Sequence, residues 1–417
     1  MTDWQARIAD LVDENFAAQI AFLRELVRLP TDTPPGDNAP HAQHAAQLLE
    51  AMGYRAEQHA VPVAEVAAAG LTSLTNLIVR RRFGAGPVIA LSAHGDVVPP
   101  GDGWTKPPYA GLIEDGRMFG RGVAVSKSDF ATYAFALRAL EALAAPLQGT
   151  VELHFTYDEE YGGLLGPGYL LRQGLSKPDL AIAAGFSYAV VTAHNGCLQL
   201  EASLRGRAAH AAMPASGCDA LAAAVEVLNA LYAERRGYAA IRSGFAGIAT
   251  PSLNVGMIAG GINTNVVPDK VTLRLDRRII PEEAPEEVEA RLIQVMRQAV
   301  EDKPGIALEI RRLLLATALR PSRAQARLAE TVQKHASAVF AEPISLSASP
   351  LYTDARHYGE AGLPVVLYGA GPRTLLEANA KRADENILLA DLRRATIVIA
   401  RVLLDLLGAD AACAMPA

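Results

Sequence analysis

The sequence predicts an α/β fold with an inserted α+β module, and three observations support this prediction. Short continuous apolar runs alternate with helical segments in the first half of the chain, which indicates strands buried on both faces of a parallel sheet. Near Gly196 the order of elements changes to β-α-β-β-α-β, which is typical of a ferredoxin-like module. After about Leu313 the first pattern resumes. We therefore predict a discontinuous α/β domain over residues 1–195 and 313–417, with the module at 196–312.

The elements of the α/β domain follow from the spacing of apolar residues. Apolar residues at helical spacing predict a first helix over Asp3–Leu29, and the proline- and glycine-rich segment Pro30–Gly36 ends it. The other predicted helices are Pro40–Met52, Phe130–Ala145, Arg323–Phe340 and Ala390–Leu407, and the predicted strands are Leu77–Val79, Val88–Ser92, Val151–Thr156, Leu180–Ala183 and Val365–Tyr368.

The module is predicted from the same kinds of pattern. Leu198–Leu204 alternates between apolar and polar residues, as a strand with one buried face does. The remaining predicted elements of the module are helices at Asp219–Glu234 and Glu282–Val300 and strands at Ser252–Ile258, Lys270–Leu275 and Ile306–Arg311.

Composition restricts the classes of partner. A net charge of −6 and an aromatic content of 6% argue against a nucleic-acid-binding protein, which needs a basic face. The chain has no run of 18 uncharged apolar residues and no apolar core near its N-terminus, so we expect neither a membrane span nor a secretory signal. The three cysteines, Cys197, Cys218 and Cys413, are too few for a disulfide framework. These features predict a cytoplasmic protein.

Two motifs at strand ends carry candidate chemistry. His94 and Asp96 form a His-x-Asp motif after one strand, and a nearby carboxylate can orient a metal-binding or catalytic imidazole. The triplet Asp158, Glu159 and Glu160 follows another strand, at the edge of an α/β sheet where ligands bind. The alternative interpretation of the triplet is a solvated acidic turn.

Taken together with later segments, these motifs resemble a known family. The segments are Gly206–Pro214, Asn254–Pro268, Asp276 with Arg278, Thr353–Arg356, and Asp384 with Glu385. The chain resembles the co-catalytic zinc amidohydrolases and exopeptidases, which include aminoacylase 1, acetylornithine deacetylase, succinyl-diaminopimelate desuccinylase and carboxypeptidase G. The resemblance implies a zinc-exopeptidase-like α/β/α sandwich with a ferredoxin-like lid that forms a homodimer. It also implies hydrolysis of a C–N amide bond in a small carboxylate-bearing substrate, such as an N-acyl amino acid or a dipeptide.

The resemblance implies five protein ligands for two zinc ions, and this chain departs from that pattern. His94 and Glu160 match ligand positions. Val125 stands where the family has the bridging acid, the segment around Phe186 lacks the next acid, and Lys381 stands at the position of the last His. The chain therefore resembles a divergent member of this family, in which three of the five ligand positions are replaced.

This departure leads to an expectation about cofactors. Zinc needs three or four nitrogen, sulfur or oxygen ligands, and each remaining half-site would supply only one. We therefore expect no cofactor. The alternative is a single zinc ion in a rearranged site, for which Asp129, His194 and Cys197 are candidate replacement ligands.

The resemblance also implies catalytic roles. Glu159 matches the general-base position, and Asp96 would orient His94. From its charge rather than from the resemblance, Lys381, placed opposite the acids, would pair with a carboxylate or polarise a carbonyl oxygen, and Lys127 would add a second positive charge. His210 matches the lid histidine that polarises the substrate carbonyl across the dimer interface.

Substrate binding and the alternatives complete the prediction. Asn265 and Arg278 match the residues that hold the substrate carboxylate, and Arg is suited to bidentate carboxylate binding.

Without an ordinary metal centre, two alternatives to a hydrolase remain open. One is a metal-free lyase or isomerase on the same scaffold, and the other is a catalytically silent binding protein.

Overall fold

The computed structural model describes residues 4–408, which form two compact units. The α/β unit comprises residues 4–192, 321–347 and 353–408, and the inserted unit comprises Ala193–Arg320 and Ala348–Tyr352. The predicted domain limits at 195/196 and 312/313 stay a prediction. Cys413 and the first three residues of the predicted N-terminal segment lie outside the described residues.

The helices and strands are as follows. The helices are α1 Trp4–Arg28, α2 Ala39–Ala51, α3 Val63–Ala68, α4 Lys127–Ala142, α5 Pro167–Arg172, α6 Ala220–Gly237, α7 Pro285–Gln298, α8 Ala326–Phe340, α9 Ala355–Glu360 and α10 Leu389–Leu407. The strands are β1 Ala56–Ala60, β2 Thr75–Arg82, β3 Val88–His94, β4 Leu112–Glu114, β5 Arg117–Phe119, β6 Thr150–Thr156, β7 Leu180–Ala183, β8 Ala189–His194, β9 Gly196–Arg205, β10 Ser252–Gly260, β11 Lys270–Ile279, β12 Ala307–Ala316, β13 Ser345–Ser349, β14 Val365–Leu367 and β15 Asn386–Leu388.

An eight-stranded sheet forms the centre of the α/β unit, in the order β1-β2-β6-β3-β7-β14-β8-β13. The four central strands β6, β3, β7 and β14 are parallel, and their apolar side chains are buried. The predicted α/β fold is thus confirmed. The sheet is mixed, however, because β1, β2 and β8 pair antiparallel with their neighbours. Helices α1, α4 and α10 pack together and contribute apolar side chains to the same core.

A four-stranded antiparallel sheet forms the inserted unit, in the order β10-β11-β9-β12. Alternating residues of β9, such as Leu198 and Leu200, are buried with α6 and α7 in a second core. This order of strands and helices is the ferredoxin-like arrangement predicted from the sequence. β10 and β12 are the edge strands of this sheet.

A small three-stranded sheet, in the order β15-β5-β4, brings distant parts of the α/β unit together. Asn386 pairs with Phe119, and the Gly120 N–H donates to the Glu385 carbonyl oxygen at 2.9 Å. The loop that precedes β15 therefore lies beside the segment that leads into α4.

Candidate active site

The candidate active site lies at the carboxyl ends of two neighbouring parallel strands, β3 and β6. The register of these strands pairs His94 with Thr156, so the residues that follow each strand emerge at the same edge of the sheet. Glu159 begins a short 3-10 turn, Glu159–Tyr161, just after β6. The topology therefore brings together the two motifs that the sequence places far apart.

His94 is buried between Asp96 and Glu159. Its Nδ1 atom lies 3.1 Å from the Asp96 carbonyl oxygen and 3.3 Å from Asp96 Oδ1, and its Nε2 atom lies 3.8 Å from Glu159 Oε2. Burial lowers the pKa of His94, but the nearby carboxylates, Glu159 first, outweigh burial and raise it to about 10. The carboxylates around His94 therefore favour its protonated, positively charged form.

Asp96 connects the two motifs. Its Oδ1 accepts a hydrogen bond from the Glu159 N–H at 3.3 Å, and its Oδ2 accepts one from the Glu160 N–H at 3.0 Å. The side chain is fully buried. One carboxylate therefore both orients the imidazole of His94 and holds the turn that carries the two glutamates.

Lys381 lies beside Glu160. Its Nζ atom donates to Glu160 Oε2 at 2.6 Å, while 48% of the Lys381 side chain remains exposed to solvent. Burial and the charge of Glu159 raise the pKa of Glu160 to about 7, and Lys381 opposes this effect. Burial lowers the pKa of Lys381, but the charges of Glu160 and Glu159 outweigh it and raise that pKa. Lys381 is thus a second cation in the site, and its predicted catalytic role stays a prediction.

Two further buried acids lie close to this cluster. Asp158 accepts the Leu165 N–H at 2.6 Å, and burial together with the charge of Asp96 raises the pKa of Asp158 to about 7. Burial, with the charge of Asp158, also raises the pKa of Asp354. Asp354 has no predicted role, although its Thr-Asp-Ala-Arg segment is among those that resemble the family.

Two residues of α9, which follows Asp354, bind the end of the turn Glu159–Tyr161. Arg356 Nη2 donates to the Gly162 carbonyl oxygen at 2.6 Å, and His357 Nε2 lies 2.9 Å from the same oxygen. Both side chains are buried in α9. The turn that carries Glu159 is therefore fixed at its start by Asp96 and at its end by α9.

Lys127 differs from the expectation. Its fully buried ammonium group donates to the carbonyl oxygens of Leu26 and Leu29 at 3.2 and 3.1 Å, at the carboxyl end of α1. Burial lowers the pKa of Lys127 to about 7. The hydrogen bonds of Lys127 therefore go to the backbone at the end of α1 rather than to the acid cluster, and Lys127 links α1 to α4. Its predicted role as a second positive charge in the site stays a prediction.

The donor set does not fit the two-zinc centre that the resemblance implies. Val125 and Phe186 offer apolar side chains, and Lys381 offers an ammonium group that already pairs with Glu160. Among residues 4–408, no group of three or more His, Cys, Asp or Glu side chains is placed to hold a metal ion. Only His94 and Glu160 keep donor atoms at the five ligand positions, and zinc needs more than these supply.

The candidate replacement ligands have other partners. The Cys197 thiol donates to Asp276 Oδ2 at 3.2 Å, and burial raises the pKa of Cys197 to about 12. His194 Nδ1 lies 2.8 Å from the Asn195 carbonyl oxygen. Asp129 does turn inward, but its Oδ1 accepts the Ala370 N–H at 2.7 Å. None of the three stands in a metal-binding cluster within the described part of the chain.

The inserted unit places His210 beside Asn265. His210 pairs with Val266, and the Ala211 N–H donates to the Asn265 carbonyl oxygen at 3.0 Å. Arg278 lies elsewhere on the sheet, where its Nε donates to Asp276 Oδ1 at 2.8 Å.

The distance between these positions bears on how Asn265 and Arg278 could bind a substrate. β11 pairs with β9 from Lys270 opposite Arg205 to Arg278 opposite Cys197, and at about 3.4 Å per residue this stretch spans about 27 Å. The pairing of the two chain segments continues past Lys270, in the direction away from Arg278, and includes Asn265. Asn265 and Arg278 of one chain therefore lie far apart along this pairing, and their predicted role in binding the substrate carboxylate stays a prediction.

Comparison with known proteins gives the family. The family model of peptidase family M20/M25/M40 matches residues 90–405. The chain belongs to peptidase family M20/M25/M40. An acetylornithine deacetylase of Myxococcus xanthus is 30% identical over 403 residues, which cover 95% of this chain and all of that protein. A succinyl-diaminopimelate desuccinylase of Rhodospirillum rubrum is 29% identical over 408 residues, with 93% and 98% of the two chains covered.

A solved structure supports the fold of this M20 chain. An M20 family metallo-carboxypeptidase from Sulfolobus solfataricus superposes with a TM-score of 0.75 at 19% identity, over 94% of this chain and 98% of that one. The predicted family and architecture are thus confirmed. As a member of the M20 family, the chain is a hydrolase that acts on C–N bonds, so the predicted enzyme class is confirmed.

Family membership corrects the expectation about cofactors. Enzymes of the M20 family are typically metal-dependent, and the expectation that no cofactor is needed is therefore wrong for this family. At the positions that the resemblance assigns to metal ligands, Val125 and Phe186 offer no donor atom and Lys381 offers an ammonium group, so the altered metal site stays a prediction. No helix among residues 4–408 is long and apolar enough to cross a membrane.

Proposed function

We propose that this chain hydrolyses the amide bond of a small carboxylate-bearing substrate, such as an N-acyl amino acid or a dipeptide. The observation that carries the proposal is the cluster at the edge of the large sheet, in which Glu159 lies 3.8 Å from the buried His94 and precedes Glu160, which pairs with Lys381. A carboxylate next to two cations can accept a proton while the cations stabilise negative charge that develops on the substrate.

Glu159 is the proposed general base. Its carboxylate takes a proton from a water molecule as the water oxygen bonds to the amide carbon, and a tetrahedral intermediate with a negative oxygen forms. The C–N bond then breaks, and Glu159 returns the proton to the leaving nitrogen. Asp96 keeps Glu159 in place through the hydrogen bond to its backbone N–H.

Lys381 is the proposed partner of the negative oxygen. Its ammonium group is half-exposed, so it can contact substrate while it stays close to Glu160. His94 is held by Asp96 and faces Glu159 with its Nε2 atom, 3.8 Å from Glu159 Oε2. The proposal includes an atypical set of metal-ligand positions, because Val125, Phe186 and Lys381 supply none of the usual donors. No step of the proposed reaction is assigned to a metal ion.

The substrate carboxylate is assigned to residues of the inserted unit. Asn265 and Arg278 are proposed as its ligands and His210 as a donor to the substrate carbonyl oxygen. Since Asn265 and Arg278 of one chain lie about 27 Å or more apart along the sheet, only one of them serves each site from a given chain.

This separation supports the proposal of a homodimer, in which a second copy supplies the other carboxylate ligand. The edge strand β10 is a suitable surface, because Met257 and Ile258 are 57% and 53% exposed there. The wild type should sediment as a dimer, and Ile258→Lys should sediment as a monomer with lower activity. An active monomeric wild type would contradict this part of the proposal.

A cytoplasmic location is also part of the proposal.

A substrate panel tests the function. N-acetyl and N-succinyl amino acids and dipeptides are incubated with the enzyme, and release of the free amine is measured. Methyl esters of the same compounds are the matched controls, because they lack the carboxylate. The proposal expects release from at least one free acid and at least about tenfold less from its ester, as the loss of one charged hydrogen-bonding partner implies. Equal rates for acid and ester would contradict the proposed substrate class.

A further inference from the structure

The loop that carries Lys381 has an unusual backbone. Asn379, Lys381 and Asp384 have φ angles of 49°, 60° and 55°, in the left-handed region that non-glycine residues seldom adopt. Such conformations persist where surrounding contacts hold them. The position of the Lys381 ammonium group therefore depends on whatever anchors this loop.

Glu385 is the buried anchor. Its Oε2 accepts a hydrogen bond from Arg121 Nη1 at 2.6 Å, and its Oε1 accepts the N–H groups of Gly122 and Ala124, both at 3.1 Å. The backbone N–H of Lys381 lies near the same carboxylate. Only 1% of Glu385 is exposed. One carboxylate thus ties the loop to the segment before α4.

Asp384 fixes the same loop on its other side. It accepts the backbone N–H of Thr105 at 3.0 Å, the Thr105 hydroxyl at 2.7 Å and the Lys106 N–H at 3.2 Å. These bonds hold the end of the loop to the segment around Thr105 but do not reach Lys381. Glu385 is the acid of this pair that contacts the Lys381 backbone.

We propose that Glu385 is a positioning residue, which holds the backbone of Lys381 so that its ammonium group stays beside Glu160. Glu385 does not touch substrate and acts through Lys381. The expected effect of Glu385 on catalysis rests on the proposed role of Lys381. The expected effect of Glu385 on the position of Lys381 does not depend on any activity.

The reactivity of the Lys381 amine tests this placement directly. The whole protein is treated with a small acetylating reagent, N-hydroxysuccinimidyl acetate, and acetylation of Lys381 is followed by mass spectrometry. In Glu385→Gln the amine should react about fivefold faster, because a released lysine loses its ion pair with Glu160. Glu385→Asp keeps the charge and should show an intermediate rate. The control is Glu152→Gln, which changes a buried ion-paired acid of the same unit and should leave the Lys381 rate unchanged.

Kinetics add a second readout. With a substrate identified by the panel, Glu385→Gln should lower kcat in the wild type but cause no further loss in a Lys381→Met background. An unchanged Lys381 acetylation rate in a folded Glu385→Gln protein would overturn the inference, as would equal losses of kcat in both backgrounds. If Glu385→Gln does not fold, the same comparisons with Glu385→Asp decide. If the enzyme releases no amine from any substrate of the panel, the acetylation of Lys381 can still be measured. Each of the two proposals can therefore be contradicted without the other.

Discussion

The ammonium group of Lys381 lies 2.6 Å from Glu160 Oε2. The resemblance described above predicts a metal-binding histidine at the position of Lys381, so a positive side chain is found where a metal ligand is expected. The same region contains a second organic cation, His94, beside Glu159. These two contacts define how the cluster differs from the usual pattern and which variants test it.

Removal of the Lys381 charge should impair the reaction. Lys381→Met keeps most of the length of the side chain but removes the proposed partner of the negative oxygen, so kcat should fall by about 100-fold. Lys381→Arg should retain more activity, because the positive charge remains. Steady-state kinetics of amine release measure both variants, with the exposed Lys334→Met as the control. Wild-type kcat in Lys381→Met would contradict the assignment.

Lys127 should matter for stability rather than for the chemical step. In Lys127→Met the Leu26 and Leu29 carbonyls lose the buried donor that links α1 to α4, and the free energy of unfolding should fall by about 2 kcal/mol. Urea unfolding monitored by circular dichroism measures this change. In the folded variant kcat should stay within about threefold of the wild type. A large loss of kcat without loss of stability would return Lys127 to the catalytic residues.

Glu152 should make the protein sensitive to acid. Burial raises the pKa of Glu152, but hydrogen bonds from His154, Ser176 and Arg80 outweigh burial and lower it to about 2. A carboxyl group whose pKa is lower in the folded chain than in the unfolded chain stabilises the fold above its unfolded pKa, which is about 4.3. This stabilisation is lost as the pH falls towards 2. The difference in unfolding free energy between wild type and Glu152→Gln should therefore shrink by about 2 kcal/mol between pH 6 and 2.5. The exposed Glu65→Gln serves as the control, and a pH-independent difference would contradict the prediction.

The altered ligand positions can be tested by restoration. The triple variant Val125→Asp, Phe186→Glu, Lys381→His regains the donor types of the family, and it should bind about two zinc ions per chain where the wild type binds fewer. Elemental analysis after gel filtration in micromolar zinc measures the bound metal. A wild type that already binds as much zinc as the triple variant would show that other residues complete the centre.

Much of the fold is predictable from the sequence because the central strands are continuous apolar runs. Val88–Ser92 and Val151–Thr156 are recognised for this reason, and the structure extends each by only a residue or two. The prediction missed β1 and β13, with the sequences Ala-Glu-Gln-His-Ala and Ser-Leu-Ser-Ala-Ser. Both lie at sheet edges and have too few large apolar residues to stand out from loops.

The candidate site is predictable where the topology alone decides it. His94 and Glu159 meet because two parallel strands end side by side, and strand ends can be recognised in the sequence. The partners of Lys127 could not be predicted, since they depend on where α1 ends relative to α4. The separation of Asn265 from Arg278 depends on the register of β11 against β9, which apolar alternation does not determine.

The role of Glu159 is the central claim, and one comparison tests it most directly. Amine release is measured for the wild type and for Glu159→Gln, which keeps the shape of the side chain but cannot accept the proton. The account predicts that Glu159→Gln lowers kcat by about 1,000-fold, within the range that a positioned base contributes, while KM changes little. A Glu159→Gln enzyme with a kcat close to that of the wild type would contradict the account.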